Sequence, residues 1–150
     1  PFGHILLYLC RKELGCWDNI NHLGAVLSEL NRLISCRGSL GLRLSPKLSA
    51  FDLIFSEDFR LNGGEKHVAL ATEAFDDYLV GAYEMGGQLR ICWRMVDEPQ
   101  YQPTDNAAKE SQDVGIGWDV LIDATRSFES ALDRSMPDSV RRRRLRGQPF

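Results

Sequence analysis

Long apolar runs are missing from this chain of 150 residues. None approaches the roughly 18 residues that a membrane span needs, so no span is expected. The four cysteines, Cys10, Cys16, Cys36 and Cys92, include no C-x-x-C pair, and the three histidines, His4, His22 and His67, include no closely spaced pair. Cys10, Cys16 and His22 recur at six-residue steps, which puts helical neighbours on different faces and does not converge on a tetrahedral centre. Gly63-Gly64 is not followed by the lysine and hydroxyl of a phosphate loop, and no stretch alternates oxygen ligands as a calcium loop does. The expectation is no metal and no cofactor.

No secretion signal is expected from the residues given. The apolar stretch 5–10 has no basic segment before it and no small-residue cleavage site after it, so it reads as core. Reduced thiols and a cytoplasmic location follow as expectations, with two disulfides as the alternative reading.

What is present is an uneven charge distribution. The formal net charge is −3, but Arg141, Arg142, Arg143, Arg144 and Arg146 supply five positive charges. The remainder holds 13 basic against 21 acidic residues, a net of −8. An acidic body repels nucleic acid and attracts basic partners, whereas the arginine run could contact phosphates. Composition and length fit one domain over residues 1–137, followed by a basic tail over 138–150.

The clearest structural signal is YLVGAYEM-GG-QLRICWRM, residues 78–95. Gly86-Gly87 suits a two-residue hairpin loop, in which both central residues take positive φ. Met85 then faces Gln88, Ala82 faces Ile91 and Val80 faces Trp93. Tyr78, Val80, Ala82, Leu89, Ile91, Trp93 and Met95 share one face; Leu79, Tyr83, Arg90, Cys92 and Arg94 share the other. A one-residue slip would destroy that agreement.

Elsewhere the pattern changes with position. Residues 1–14 read as a helix closed by Gly15, with a buried strand as the competing reading. Ile20, Leu23, Leu27, Leu30 and Ile34 form a helical stripe, capped by Asp18 or Asn19 and ending near Cys36. Leu40, Leu42 and Leu44, and then Phe51, Leu53 and Phe55, alternate as two strands of a second hairpin. Residues 56–66 read as a polar connector. Val68, Leu70 and Thr72 read as a strand rather than a helix. Residues 96–117 read as one long loop, and 116–134 as a helix ended by Pro137. The sum is an α+β domain, with an antiparallel sheet of about four or five strands packed by two or three helices.

Residues 11–30, RKELGCWDNINHLGAVLSEL, resemble the helical region of barstar-type nuclease inhibitors through Leu23, Ala25 and Leu30. The positions of that family's inhibitory acids hold Gly24 and Ser28 here, so the resemblance implies no inhibitory mechanism. That fold also has a helix before its last strand, where this sequence places a hairpin.

Three functional readings emerge. The first is a non-catalytic protein-binding module, of inhibitor or immunity type. Its surface would offer Glu57, Asp58, Asp76 and Asp77 to a basic partner, with Tyr101 as an aromatic anchor. The second is nucleic-acid association through the arginine run. The third is a small enzyme built on Cys92 and His67, which would need the imidazole within hydrogen-bond reach of the thiol. Cys92 packed beside Leu79 and Tyr83 is the simpler expectation.

Overall fold

The computed structural model describes residues 2–9, 11–14, 21–72, 75–96 and 110–135. Strand β1 (Phe2–Gly3) pairs antiparallel with β4 (Asn21–His22), and β2 (Leu7–Leu9) pairs with β3 (Lys12–Leu14). Helix α1 (Leu23–Ser35) is followed by two five-residue helices, α2 (Ala50–Ile54) and α3 (Glu57–Leu61), and a 3₁₀ turn at Gly64–His67. Then come β5 (Tyr78–Met85), β6 (Gln88–Met95), β7 (Gln112–Ile116) and α4 (Trp118–Ser135). The main sheet has three antiparallel strands in the order β5-β6-β7. The α+β class is as expected. Among the described residues the sheet has fewer strands than anticipated, because the two small pairs stand apart from it, and the α-helices number four and not two or three, because α2 and α3 replace an expected strand and connector.

The hairpin forms in the register read from the sequence: Met85 pairs with Gln88, Ala82 with Ile91 and Val80 with Trp93. Gly86 and Gly87 lie at φ 62 and 77, the left-handed values that a tight turn matching the strand twist requires. Nothing lies near the Cβ that either glycine lacks, so the cost of a side chain there is purely conformational. Gly87→Ala should therefore lower stability by about 1 kcal/mol, read from the urea midpoint. An unchanged midpoint would mean that the turn can relax.

Both faces of the hairpin are covered. Val80, Ala82, Leu89, Ile91 and Trp93 pack with Val26, Leu30 and Leu33 of α1 and with Trp118 and Leu121 of α4. On the opposite face Tyr83 and Cys92 pack against Ala50, Phe51 and Ile54 of α2. Gly81 makes this approach possible, since a Cβ there would come 3.1 Å from both Cys92 Sγ and Ile54 Cδ1. Leu79, expected beside Cys92, is instead more than a third exposed, at 38%. Helix α1 buries the expected stripe through Leu27 and Leu30, joined by Val26 and Leu33. Its N-cap is His22, whose Nδ1 accepts from Ala25 N at 3.2 Å; Asp18 and Asn19 lie outside the described residues.

Several short segments differ from their sequence reading. The 1–14 helix is replaced by β1, β2 and β3; Leu9 and Leu14 are buried while Tyr8 points out. Six consecutive apolar residues carry no period, so their partners chose the state. Phe51 and Leu53, expected in a strand, lie in α2 (Ala50–Ile54), with Phe55 as its C-cap. Ser49 Oγ accepts from Asp52 N at 3.1 Å and donates to Asp52 Oδ2 at 2.6 Å, a cap that starts a helix and overrides a three-residue alternation. Ser56 caps α3 in the same way, so the expected polar connector is partly helical.

The expected strand at residues 40–44 reduces to one parallel bridge, Gly41 to Glu84. The expected strand at residues 68–72 reduces to one bridge, Val68 to Gly81, because Leu70 takes φ 53 and turns the chain away. Residues 112–116 form β7 within what read as a loop. Helix α4 forms as expected but begins at Trp118 and not at Ile116, which β7 takes; its predicted stop at Pro137 lies outside the described residues.

Candidate functional site

Of the sequence-predicted contacts, Glu57 and Asp58 occupy the first turn of α3 and are exposed. The free N–H groups there favour negative charge. Among the described residues neither forms an ion pair. Asp76 is exposed, whereas Asp77 is only 6% exposed and its backbone carbonyl accepts from Val96 N at 2.9 Å. The pair therefore divides, and Asp76 alone is available at the surface. Tyr101, Cys10, Cys16 and the arginines at 141–144 and 146 lie outside the described residues.

His67 and Cys92 are both buried but serve different carbonyls. His67 Nδ1–H donates to Ala82 O at 2.9 Å, at the outer edge of β5, and its ring lies 5.3 Å from that of Phe59. Cys92 Sγ–H donates weakly to Gly81 O at 3.7 Å, on the face that α2 covers. Burial pushes the thiol up to about 12, and the Asp113 carboxylate adds to the shift. A thiol held neutral in this way is a poor nucleophile. Among the described residues no group of His, Cys, Asp and Glu is arranged to hold a metal.

Burial also lowers the His67 pKa from 6.5, with Lys66 adding to the effect and the Ala82 hydrogen bond opposing it. The unfolded chain therefore binds a proton that the folded chain resists. The stability that neutral His67 contributes is complete above pH 6.5 and is lost as pH falls through 6.5 toward the lower folded value. Unfolding midpoints should fall between about pH 7.5 and pH 5.5, and His67→Gln should flatten that segment. An identical slope in the variant would assign the fall to other groups. For Cys92 the sign reverses: its contribution is complete below pH 9.0 and is lost as pH rises toward about 12.

Two carboxylate sites escaped the sequence reading. Glu84 sits on β5 in the same alternation as Val80 and Ala82, so it enters the dry face as a charge. Its Oε1 accepts from Gly38 N at 3.0 Å and from Trp118 Nε1 at 2.9 Å, and its Oε2 accepts from Leu40 N at 3.2 Å. One side chain thus joins the end of α1, the segment beside β5 and the start of α4. The signal was legible: Glu84 is the one acid among residues 78–95, and it falls on the apolar face.

The second site is Asp113 on β7. Tyr83 OH donates to its Oδ2 at 2.6 Å, and Arg90 Nε donates to its Oδ1 at 2.8 Å. Arg90 Nη2 also lies 2.8 Å from Oδ1. These residues come one each from β5, β6 and β7 and clamp the sheet across its second face. Burial, reinforced by Asp113, pushes the Tyr83 phenol up to about 12, so it remains a donor at neutral pH. Nearby, Arg94 lies 4.6 Å above the Phe51 ring and 4.0 Å from Asp52. Each of these contacts joins separate elements of the fold.

Among the described residues no helix is long and apolar enough to cross a membrane. No protein-family model, no curated protein and no solved structure matches the chain.

Proposed function

We propose that this chain is a non-catalytic protein-binding module, of inhibitor or immunity type, whose acidic body receives a basic partner. The observation that carries the reading is the net charge of −8 outside the arginine run. The exposed carboxylates of Glu57 and Asp58, with no cation paired to them among the described residues, and that of Asp76 give this charge a surface. Charges of this kind steer association and select partners. Asp77 is left out because it is buried. Tyr101 keeps its place in the reading as an aromatic anchor. The enzyme alternative is weakened by a neutral Cys92 and by an imidazole that serves a different carbonyl.

The test is capture from lysate of the chain's own host cells at low salt. A basic protein should be retained, be released as salt rises, and be lost when Glu57→Lys, Asp58→Lys and Asp76→Lys are combined. Retention of nothing at low salt would end this reading. The arginine run supports a second one, association with nucleic acid. There, removal of residues 139–150 should abolish salt-sensitive binding to a DNA duplex, and unchanged binding would dismiss the tail.

A further inference from the structure

The two edges of the main sheet are finished differently. Along β5 the chain returns twice: Glu84 N donates to Leu40 O and Ala69 N donates to Val80 O, both at 2.8 Å. Along β7, among the described residues, only β6 pairs with the strand. Alternate residues of an edge strand turn N–H and C=O groups outward, where another strand can take them. Two usual protections are missing from β7 itself. It holds no proline and no lysine, and its single charge, Asp113, is drawn onto the sheet face by Tyr83 and Arg90.

We propose that residues Asp113 to Gly115 pair antiparallel with the same residues of a second copy of this chain, about a two-fold axis through Val114. The three strands of each copy then form one continuous sheet. A two-fold seam must be self-complementary, and this one is. Around Val114, Asp113 of one copy stands opposite Gly115 of the other. Within a chain Gly115 is paired with Arg90, and a Cβ at Gly115 would lie 3.5 Å from Arg90 Nη1. The glycine thus leaves the guanidinium lying over its own edge strand, in the row where the second copy's Asp113 arrives. The same meeting of opposite charges occurs twice, once on each side of the axis, and no like charges oppose each other along the paired stretch. A single strand pair is smaller than the standard interface of about 1,200–2,000 Å², so the dimer is expected to be weak and concentration-dependent.

Sedimentation velocity between about 5 and 500 µM should show conversion from one chain to two. Hydrogen exchange at the two ends of that range should show slower exchange at high concentration for the outward amides of Asp113 and Gly115, with the hairpin of residues 78–95 unchanged. Gly115→Asp places an anion directly opposite the second copy's Asp113, on both sides of the axis. It should weaken dimerisation at least tenfold while the hairpin amides keep their protection, which reports the fold separately. A single-chain species at the highest concentration would overturn the proposal. So would a dimer whose Asp113 and Gly115 amides exchange equally at both concentrations, or a folded Gly115→Asp variant that dimerises like the parent chain.

Discussion

Replacing Glu84 by alanine should destabilise the fold by about 3 kcal/mol, a large share of a small domain's stability. Three N–H donors, from Gly38, Leu40 and Trp118, converge on this one carboxylate. Hydrogen bonds to charged groups contribute roughly 1.5–3 kcal/mol each, but the figures do not add here. Gly38 is exposed, and water can replace its bond. Leu40 N and the Trp118 indole are partly buried and would be left without an acceptor. Glu84→Gln should cost less, about 2 kcal/mol, because an amide keeps one acceptor oxygen but turns its NH₂ toward a donor. The backbone bond from Glu84 N to Leu40 O survives both changes, so any loss belongs to the side chain. Urea unfolding followed at Trp118 checks the order, alanine worse than glutamine. If both variants stay within about 0.5 kcal/mol of the parent, Glu84 is not the joint described above.

Tyr83→Ala should cost about 4 kcal/mol, and Tyr83→Phe about 1 kcal/mol. The ring is 2% exposed and packs with Phe51, Ile54 and Cys92, so its deletion leaves a cavity under α2. The hydroxyl is a smaller matter. Without it Asp113 still holds Arg90, and its side chain is 35% exposed, so water can reach the freed oxygen. The measured gap between the two variants therefore separates packing from the polar clamp. A phenylalanine variant as damaged as the alanine variant would mean that the Asp113 bond, and not the ring, holds β5 to β7. The clamp also predicts lower stability above about pH 10, since ionised Tyr83 would face Asp113 as a second anion.

The elements legible in the sequence share one property, which is length. Residues 78–95 offer eight-residue strands on each side of a glycine pair, so strand, turn and register agreed independently. Helix α1 repeats its apolar step over 13 residues and α4 over 18, enough for a 3.6-residue period to separate from a two-residue one. Residues 50–54 offer only five positions, and Phe51, Leu53 and Phe55 fit a strand as well as Phe51 and Ile54 fit a helix. The discriminating signal was Ser49 with Asp52 three residues later, a cap and not a period. Strand β7 carries Gly115 and Asp113 among few apolar residues and looked like loop; pairing with β6 made it a strand.

The candidate surface was legible only in part. Net charge is a property of the sequence; Glu57, Asp58 and Asp76 are exposed, the first two in the opening turn of α3 and not in a connector. Asp77 did not, because the turn into β5 buries it. Adjacent residues at a strand entry point to opposite sides, so one member of an acidic pair can be solvated while its neighbour is not.

By itself the sequence determined the hairpin and its register, the two long helices and the division between an acidic body and an arginine run. These depend on local chemistry: positive φ at two glycines, a repeated apolar step, and a count of charges. Only the tertiary structure decided which short apolar runs became helix or strand, which carboxylates became joints, and which edge of the sheet has no second strand among the described residues. Those outcomes turn on partners distant in the chain: Glu84 meets Trp118 34 residues later, and Tyr83 meets Asp113 30 residues later. A pairing of that kind exists only once the layers have closed.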